Sequence, residues 1–260
     1  MIKGRPVTYL KLDDTDIYYQ DQGKQSAKTT LLLSHGYAAS SAMWQQQVDF
    51  LSEKYRIISW DMRGHGRSQS PSDIGAYSSS ASLQDMKNIL DACDVEKAVI
   101  GGHSLGGYFS ILFNIKYAER VSGLMLFNTG PGFRNQKARE DWNLYALNQG
   151  KRFETKGLDA LRGRIETRLG HHTSAQGLMN AAEKMLTQHD ASAIDSLPSI
   201  KVPTLIICGE QDKGFLDPTA YMNKKIPSVT TVLIPNARHA ANLDQPELFN
   251  QALGAYLSSL

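Results

Sequence analysis

The segment Ala98-Val-Ile-Gly-Gly-His-Ser-Leu-Gly-Gly-Tyr108 decides how this chain is read. A short apolar β run over Lys97–Gly101 leads into it, and from Leu105 to Tyr117 apolar residues recur at helical spacing through Ile111, Leu112 and Ile115. Between the two, Gly102-His-Ser-Leu-Gly106 has to turn strand into helix at once. Such a turn lifts one side chain, Ser104, clear of the sheet at strained backbone angles, and glycines two before and two after it remove the Cβ atoms that would collide. The first N–H groups of the helix point to where negative charge develops on an attacked carbonyl. The pentapeptide alone arises by chance in about one chain in ten of this length, so its context and its partners carry the inference.

A serine hydroxyl needs a base to take its proton, and an imidazole held by an acid is the usual one. Val202-Pro-Thr-Leu-Ile-Ile-Cys208 is a continuous apolar run typical of a strand buried on both faces, and it ends in Gly209-Glu-Gln-Asp212. Asp212 is the leading acid, with Asp217 and Glu210 as alternatives. Thr230-Thr-Val-Leu-Ile234 is a second such strand, followed by Pro235-Asn-Ala-Arg-His239 and a helical pattern over Gln245–Leu257. Of the seven histidines, His239 alone lies after a late strand and ahead of a terminal helix.

These landmarks, together with His35-Gly36 after the strand Thr30–Ser34, Trp44 in the next helix and Asp61-Met-Arg-Gly-His-Gly-Arg-Ser68, resemble the α/β-hydrolase superfamily over essentially the whole chain. The resemblance implies a mostly parallel eight-stranded sheet with helices on both faces, and a catalytic triad of Ser104, Asp212 and His239. It favours Asp212 over Asp217, because Asp212 stands where the family's acid stands. It also implies an oxyanion hole made by the backbone N–H groups of Leu105 and Tyr37. Each such donor is worth about 3 kcal/mol in the transition state.

Other candidates are read structurally. His35, His65 and His103 belong to recurring turn motifs, and Arg63 and Arg67 pin the loop after the strand Arg56–Trp60, with a substrate-facing role for one of the two arginines as the alternative. His171-His172 has no carboxylate or cysteine at ligand spacing and is read as solvated surface, with no metal site. The formal charge of +2 without basic blocks argues against a nucleic-acid partner. Cys93 and Cys208 are too few for a disulfide framework and read as buried thiols. The first ten residues enter an amphipathic strand with no apolar span, so the chain reads as a cytoplasmic enzyme with no membrane span.

Strands are expected near Val7–Lys11, Asp16–Gln20, Thr30–Ser34, Arg56–Trp60, Lys97–Gly101, Val121–Asn128, Thr204–Cys208 and Thr230–Ile234. Helices are expected near Met43–Glu53, Ser80–Cys93, Leu105–Tyr117, Pro218–Lys225 and Gln245–Leu257. Between 132 and 197 the buried-strand patterns vanish, and helical spacing appears in Arg139–Leu147, Leu158–Leu169 and Gly177–Gln188. This resembles the helical cap that many family members insert, dividing the chain into a core of 1–131 plus 198–260 and a cap of 132–197. Trp142, Tyr145, Phe153, Leu178 and Met179 are the candidate pocket residues.

The implied activity is hydrolysis of short- to medium-chain carboxylic esters or lactones, small molecules, through an acyl-enzyme that requires no cofactor. Ser104 disfavours the haloalkane and epoxide hydrolases of this fold, which use a carboxylate nucleophile. A carbon–carbon hydrolase of ring-cleavage products and a slow-turnover ligand sensor are the alternatives.

Overall fold

The computed structural model describes residues 8–260, so Val7 of the first expected strand lies outside the described residues. Eight strands follow the sequence pattern: β1 Thr8–Lys11, β2 Asp16–Gly23, β3 Thr30–Ser34, β4 Arg56–Trp60, β5 Ala98–His103, β6 Val121–Phe127, β7 Thr204–Gly209 and β8 Val229–Ile234. They form one sheet in the order β1-β2-β4-β3-β5-β6-β7-β8. β2 runs antiparallel to both β1 and β4, and every other pairing is parallel. The helices are α1 Gln45–Leu51, α2 Ser79–Ala92, α3 Leu105–Lys116, α4 Gln136–Lys156, α5 Ile165–Arg168, α6 Ala175–Ala181, α7 Ser192–Ser196, α8 Leu216–Lys225, α9 Ala241–Asp244 and α10 Pro246–Leu257.

The central strands are apolar at nearly every position because both faces are covered. Successive side chains alternate between two cores. On one face Leu32, Ile58, Ile100, Leu124 and Ile206 pack against Met86 of α2, Phe109 and Phe113 of α3 and Met222 of α8. On the other, Leu31, Leu33, Val99, Phe127 and Ile207 pack against Trp44, Val48, Phe249 and Leu253. There the Phe127 ring meets Phe249 edge-on at 4.9 Å and lies 5.8 Å from Trp44.

Loops at the carboxyl ends of the strands are tied by buried polar groups. Arg63 is 4% exposed and bonds Asp85 at 2.6 and 2.8 Å, Asp14, and the Ala76 carbonyl. Arg67 donates to the Tyr18 hydroxyl. His35 accepts from the Met62 N–H through Nε2 and donates to the Gly36 carbonyl through Nδ1, which fixes its neutral tautomer. Cys93 and Cys208 are free and buried, and burial pushes both thiols up to about 11.

Between β6 and β7 the chain folds into helices alone, with two departures from the sequence reading. The expected helix Leu158–Leu169 is instead a 3₁₀ turn over Gly157–Leu161 and the short α5, separated at Gly163, whose φ of +116° no α-helix accommodates. The second departure concerns His172, which is not solvated surface. Its Nδ1 accepts from the Gly66 N–H at 3.0 Å and its Nε2 donates to the Ala38 carbonyl at 3.0 Å, so it joins the inserted segment to the loops after β3 and β4. Its partners lie more than 100 residues away, out of reach of any spacing rule.

Two stability predictions follow from this packing. Phe249→Ala, which empties the centre of one core, should cost about 3–5 kcal/mol, measured as a lowered urea midpoint with unchanged slope. Burial, followed by the nearby His35, holds His172 down to about 4, against 6.5 for a free imidazole. The fold therefore keeps the neutral ring, and as pH falls the unfolded chain takes up this proton first. The stabilisation is complete above about pH 6.5 and is lost progressively towards pH 4, up to about 3 kcal/mol. The Tm of His172→Gln should fall less steeply than that of the wild type between pH 7 and 4.5.

Candidate active site

β5 ends and α3 begins at Ser104, which has φ +53° and ψ −113°. Three hydrogen bonds hold this strained residue: its N–H donates to the Phe127 carbonyl at 2.9 Å, and its carbonyl accepts from Thr129 Oγ1 at 2.6 Å and from the Tyr108 N–H at 3.0 Å. A Cβ on Gly102 would collide with the Gly106 backbone, and one on Gly106 with the carbonyls of Ser34 and His35. The two glycines let the turn close and let α3 lie directly on the end of β3.

The loop after β7 carries Asp212, and the loop after β8 carries His239. Asp212 Oδ2 accepts from His239 Nδ1 at 2.8 Å and from Asn128 Nδ2 at 2.8 Å. Burial pushes the Asp212 carboxyl up, but the bonds from His239 and Asn128 outweigh it and leave the group below the usual carboxylate range. Asp217 sits in the first turn of α8, in the wall of an apolar cavity, and makes no bond to the imidazole. Glu210 is exposed and likewise does not reach it.

The His239 ring is clamped on both sides. Phe215 stacks on it at 4.9 Å and 28°, and His103 meets it edge-on at 4.7 Å. The His103 ring also bonds the His239 carbonyl at 2.6 Å through Nε2. Burial, reinforced by the neighbouring His239, holds His103 down to about 3, so it is a neutral donor. Ser104 and His239 share the wall of one small cavity, although the Ser104 hydroxyl makes no hydrogen bond among the described residues. Such contacts are often long in a free enzyme and tighten when substrate binds.

Leu105 is the first residue of α3, so its N–H has no acceptor in a preceding turn. The Tyr37 N–H also lacks a backbone acceptor among the described residues. Gly36 presses so closely on the turn at Ser104 that a Cβ there would come within 2.5 Å of His103 Nδ1 and 3.3 Å of Ser104 Cβ. The Tyr37 side chain faces the other way, donating to the Leu178 carbonyl at 2.9 Å.

Two larger cavities flank the site, one on the Ser104 side and one on the His239 side. One, of about 690 Å³, is lined by Ser104, Leu105, Tyr108, Phe133, Trp142 and Phe215. The other, of about 510 Å³, is lined by His239, Tyr145 and several charged side chains. Of the five pocket residues expected from sequence, Trp142 and Tyr145 line these spaces, and Trp142 is anchored by its Nε1–H to the Leu186 carbonyl at 2.8 Å. That carbonyl belongs to a π-helical turn over Ala182–Leu186. Phe153, Leu178 and Met179 do not line them. They pack with Ala38 and Ala160 in a separate apolar seam that glues the inserted helices to the β3 loop. Asn128, Phe215 and His103 were not singled out as site residues by sequence reasoning, and nothing in their local pattern marks the first two.

Residues 29–175 match the family described as the alpha/beta hydrolase fold. The chain belongs to that family. It is 28% identical over 262 residues to 3-oxoadipate enol-lactonase 2 of Acinetobacter baylyi, covering 95% of each protein. It is also 28% identical to a 2-hydroxy-6-oxononadienedioate/2-hydroxy-6-oxononatrienedioate hydrolase of Paraburkholderia phymatum, covering 93% of this chain and 90% of the relative. Among solved structures, a thermophilic esterase from Thermogutta terrifontis superposes with a TM-score of 0.79 at 25% identity, covering 97% of each chain. Hydrolysis on an eight-stranded, mostly parallel sheet is what these relatives have in common with the architecture seen here. No helix among the described residues is long and apolar enough to cross a membrane, and no group of three or more His, Cys, Asp or Glu is arranged to hold a metal ion.

The geometry around His239 predicts a ranking. Asp212→Asn should lower kcat/KM by 100-fold or more, in the order-of-magnitude range of triad acid variants (~10⁴), while Asp217→Asn should change it by less than about tenfold. Steady-state kinetics on a chromogenic ester would rank the two, and the reverse order would transfer the acid role to Asp217.

Proposed function

We propose that this protein is a serine hydrolase of carboxylic esters or lactones. The observation that carries the reading is the 2.8 Å bond from His239 Nδ1 to Asp212, which turns the other ring nitrogen towards the cavity that Ser104 lines. Ser104 Oγ attacks the carbonyl carbon while His239 Nε2 takes its proton. The N–H groups of Leu105 and Tyr37 hold the oxyanion. The tetrahedral intermediate then expels the alkoxide, which His239 protonates. Water, activated by the same imidazole, releases the acid and restores Ser104. Asp212 stays ionised throughout, fixing the ring and stabilising its cation.

In this reading residues 132–197 act as a cap over a core of 1–131 and 198–260. The apolar cavity of about 690 Å³ lies beside Ser104 and Leu105 but away from His239, which suits it to the acyl group. Its Trp142 and Phe133 walls favour short- to medium-chain acids. The A. baylyi enol-lactonase is an ester-cleaving relative, whereas the P. phymatum hydrolase supports carbon–carbon cleavage as the second reading.

Wild type and Ser104→Ala should be assayed against p-nitrophenyl esters from acetate to dodecanoate. Multiple turnovers with an optimum at one chain length, reduced at least 10³-fold in Ser104→Ala while Tm is kept, are expected, given the order of magnitude of ~10⁶ for removing such a nucleophile. A wild type that cleaves no ester, or releases one equivalent only, would reject the ester reading in favour of carbon–carbon substrates or ligand sensing.

A further inference from the structure

Of the charged groups on the His239 side that hydrolysis itself does not use, Glu166 and Arg164 also line the small space shared with Ser104. Glu166 of α5 is only 6% exposed. Its carboxylate has no hydrogen bond or ion pair among the described residues, yet neither oxygen is sealed from the space shared by Ser104, His239 and Tyr145. A carboxylate so deeply placed is normally paired or hydrogen-bonded. Arg164, two residues earlier, lines the same space and likewise has no acceptor for its guanidinium among the described residues.

The direction of the reaction assigns this space to the alcohol. His239 must reach the leaving oxygen to protonate it, so the leaving group lies on the side that His239 lines, away from the apolar cavity. An acceptor and a donor standing together match a hydroxyl group, which donates to a carboxylate and accepts from a guanidinium. The charges along this wall also balance, with Arg164, Arg168 and Arg238 against Glu166, Asp212 and Asp244. The wall therefore carries no net formal charge that would select an anionic or a cationic alcohol.

We propose that Glu166 and Arg164 form a subsite for a neutral hydroxylated alcohol, so that the preferred substrates are esters of glycerol or a similar polyol. This rests on the ester-hydrolase reading above. Glu166 acts as a specificity-determining residue that accepts a hydrogen bond from the alcohol, and it takes no part in proton transfer at the carbonyl.

The test compares esters that share one acyl group, with hydrolysis followed by pH-stat titration: glycerol 1-monobutyrate, propyl butyrate, butyrylcholine and the butyrate ester of 3-hydroxypropanoate. The wild type should favour the glycerol ester over propyl butyrate by about tenfold or more in kcat/KM, mostly through KM. Glu166→Ala should bring that ratio to within about threefold of unity, and Glu166→Gln, which keeps an acceptor oxygen but not its charge, should lower it less. Arg164→Gln, at an exposed position, should lower it in the same direction and carries the test if the Glu166 variants fail to fold. A wild-type ratio near unity, a preference for the choline or carboxylate ester, or a ratio that survives Glu166→Ala or, where that variant does not fold, Arg164→Gln would overturn the subsite while leaving the ester reading intact. If the wild type cleaves none of these esters, nor p-nitrophenyl butyrate, it is the ester reading that fails.

Discussion

The backbone of Ser104 is the constraint around which the rest of this molecule is arranged. A non-glycine residue at φ +53° is costly, and it persists only because its surroundings leave it no alternative. Its N–H and carbonyl are both committed, to Phe127 and Thr129, and α3 is laid against β3 with no room for a side chain at Gly106. Phe127 in turn is fixed between Trp44 and Phe249 in the core beneath the sheet. The strain at one residue is thus supported by packing that extends from the strand ends to the C-terminal helix.

Around that turn the polar groups hold position through neutral imidazoles more than through ion pairs. His35 and His172 each accept a backbone N–H and donate to a carbonyl, and His103 donates to the His239 carbonyl. His65 lies among them, 5.1 Å from His35 and 5.9 Å from His172, with burial holding it well below the ordinary imidazole range. A neutral imidazole is suited to such a place because it offers one donor and one acceptor without the desolvation cost of a charge. Formal charge is carried by the buried Asp61 carboxylate, which accepts from the Ser41 and Arg67 N–H groups, by the Arg63–Asp85 pair, by Asp212 and by the outer cavity.

The parts that were legible in the sequence are those set by local pattern. β3, β4, β5 and β7 read as apolar runs because both faces of the sheet are covered, and the turn at Ser104 reads from its glycines. The loops carrying Asp212 and His239 read from their position after late strands. What sequence could not show depends on contacts across the fold. Phe153 and Leu178 have the size and apolarity of pocket residues, but whether such a side chain faces a cavity or a seam depends on how α4 and α6 rotate against the β3 loop. His172 looked solvated because its acceptor and donor belong to residues 38 and 66. Glu166 carried no signal at all: a carboxylate in a charged helical stretch looks like surface, and only the fold shows it turned inwards.

Tyr37 is one of the links between the loop beside Ser104 and the inserted helices. Its main chain stands beside the turn at Ser104, while its hydroxyl is fastened to Leu178 and its ring rests on Phe153 at 6.3 Å. His172 fastens the next residue, Ala38, to the same inserted helices. The inserted helices and the loop beside Ser104 are therefore held to each other. An exchange of the inserted segment for that of a relative would also disturb the main chain beside Ser104, so these two regions of the scaffold cannot be altered independently.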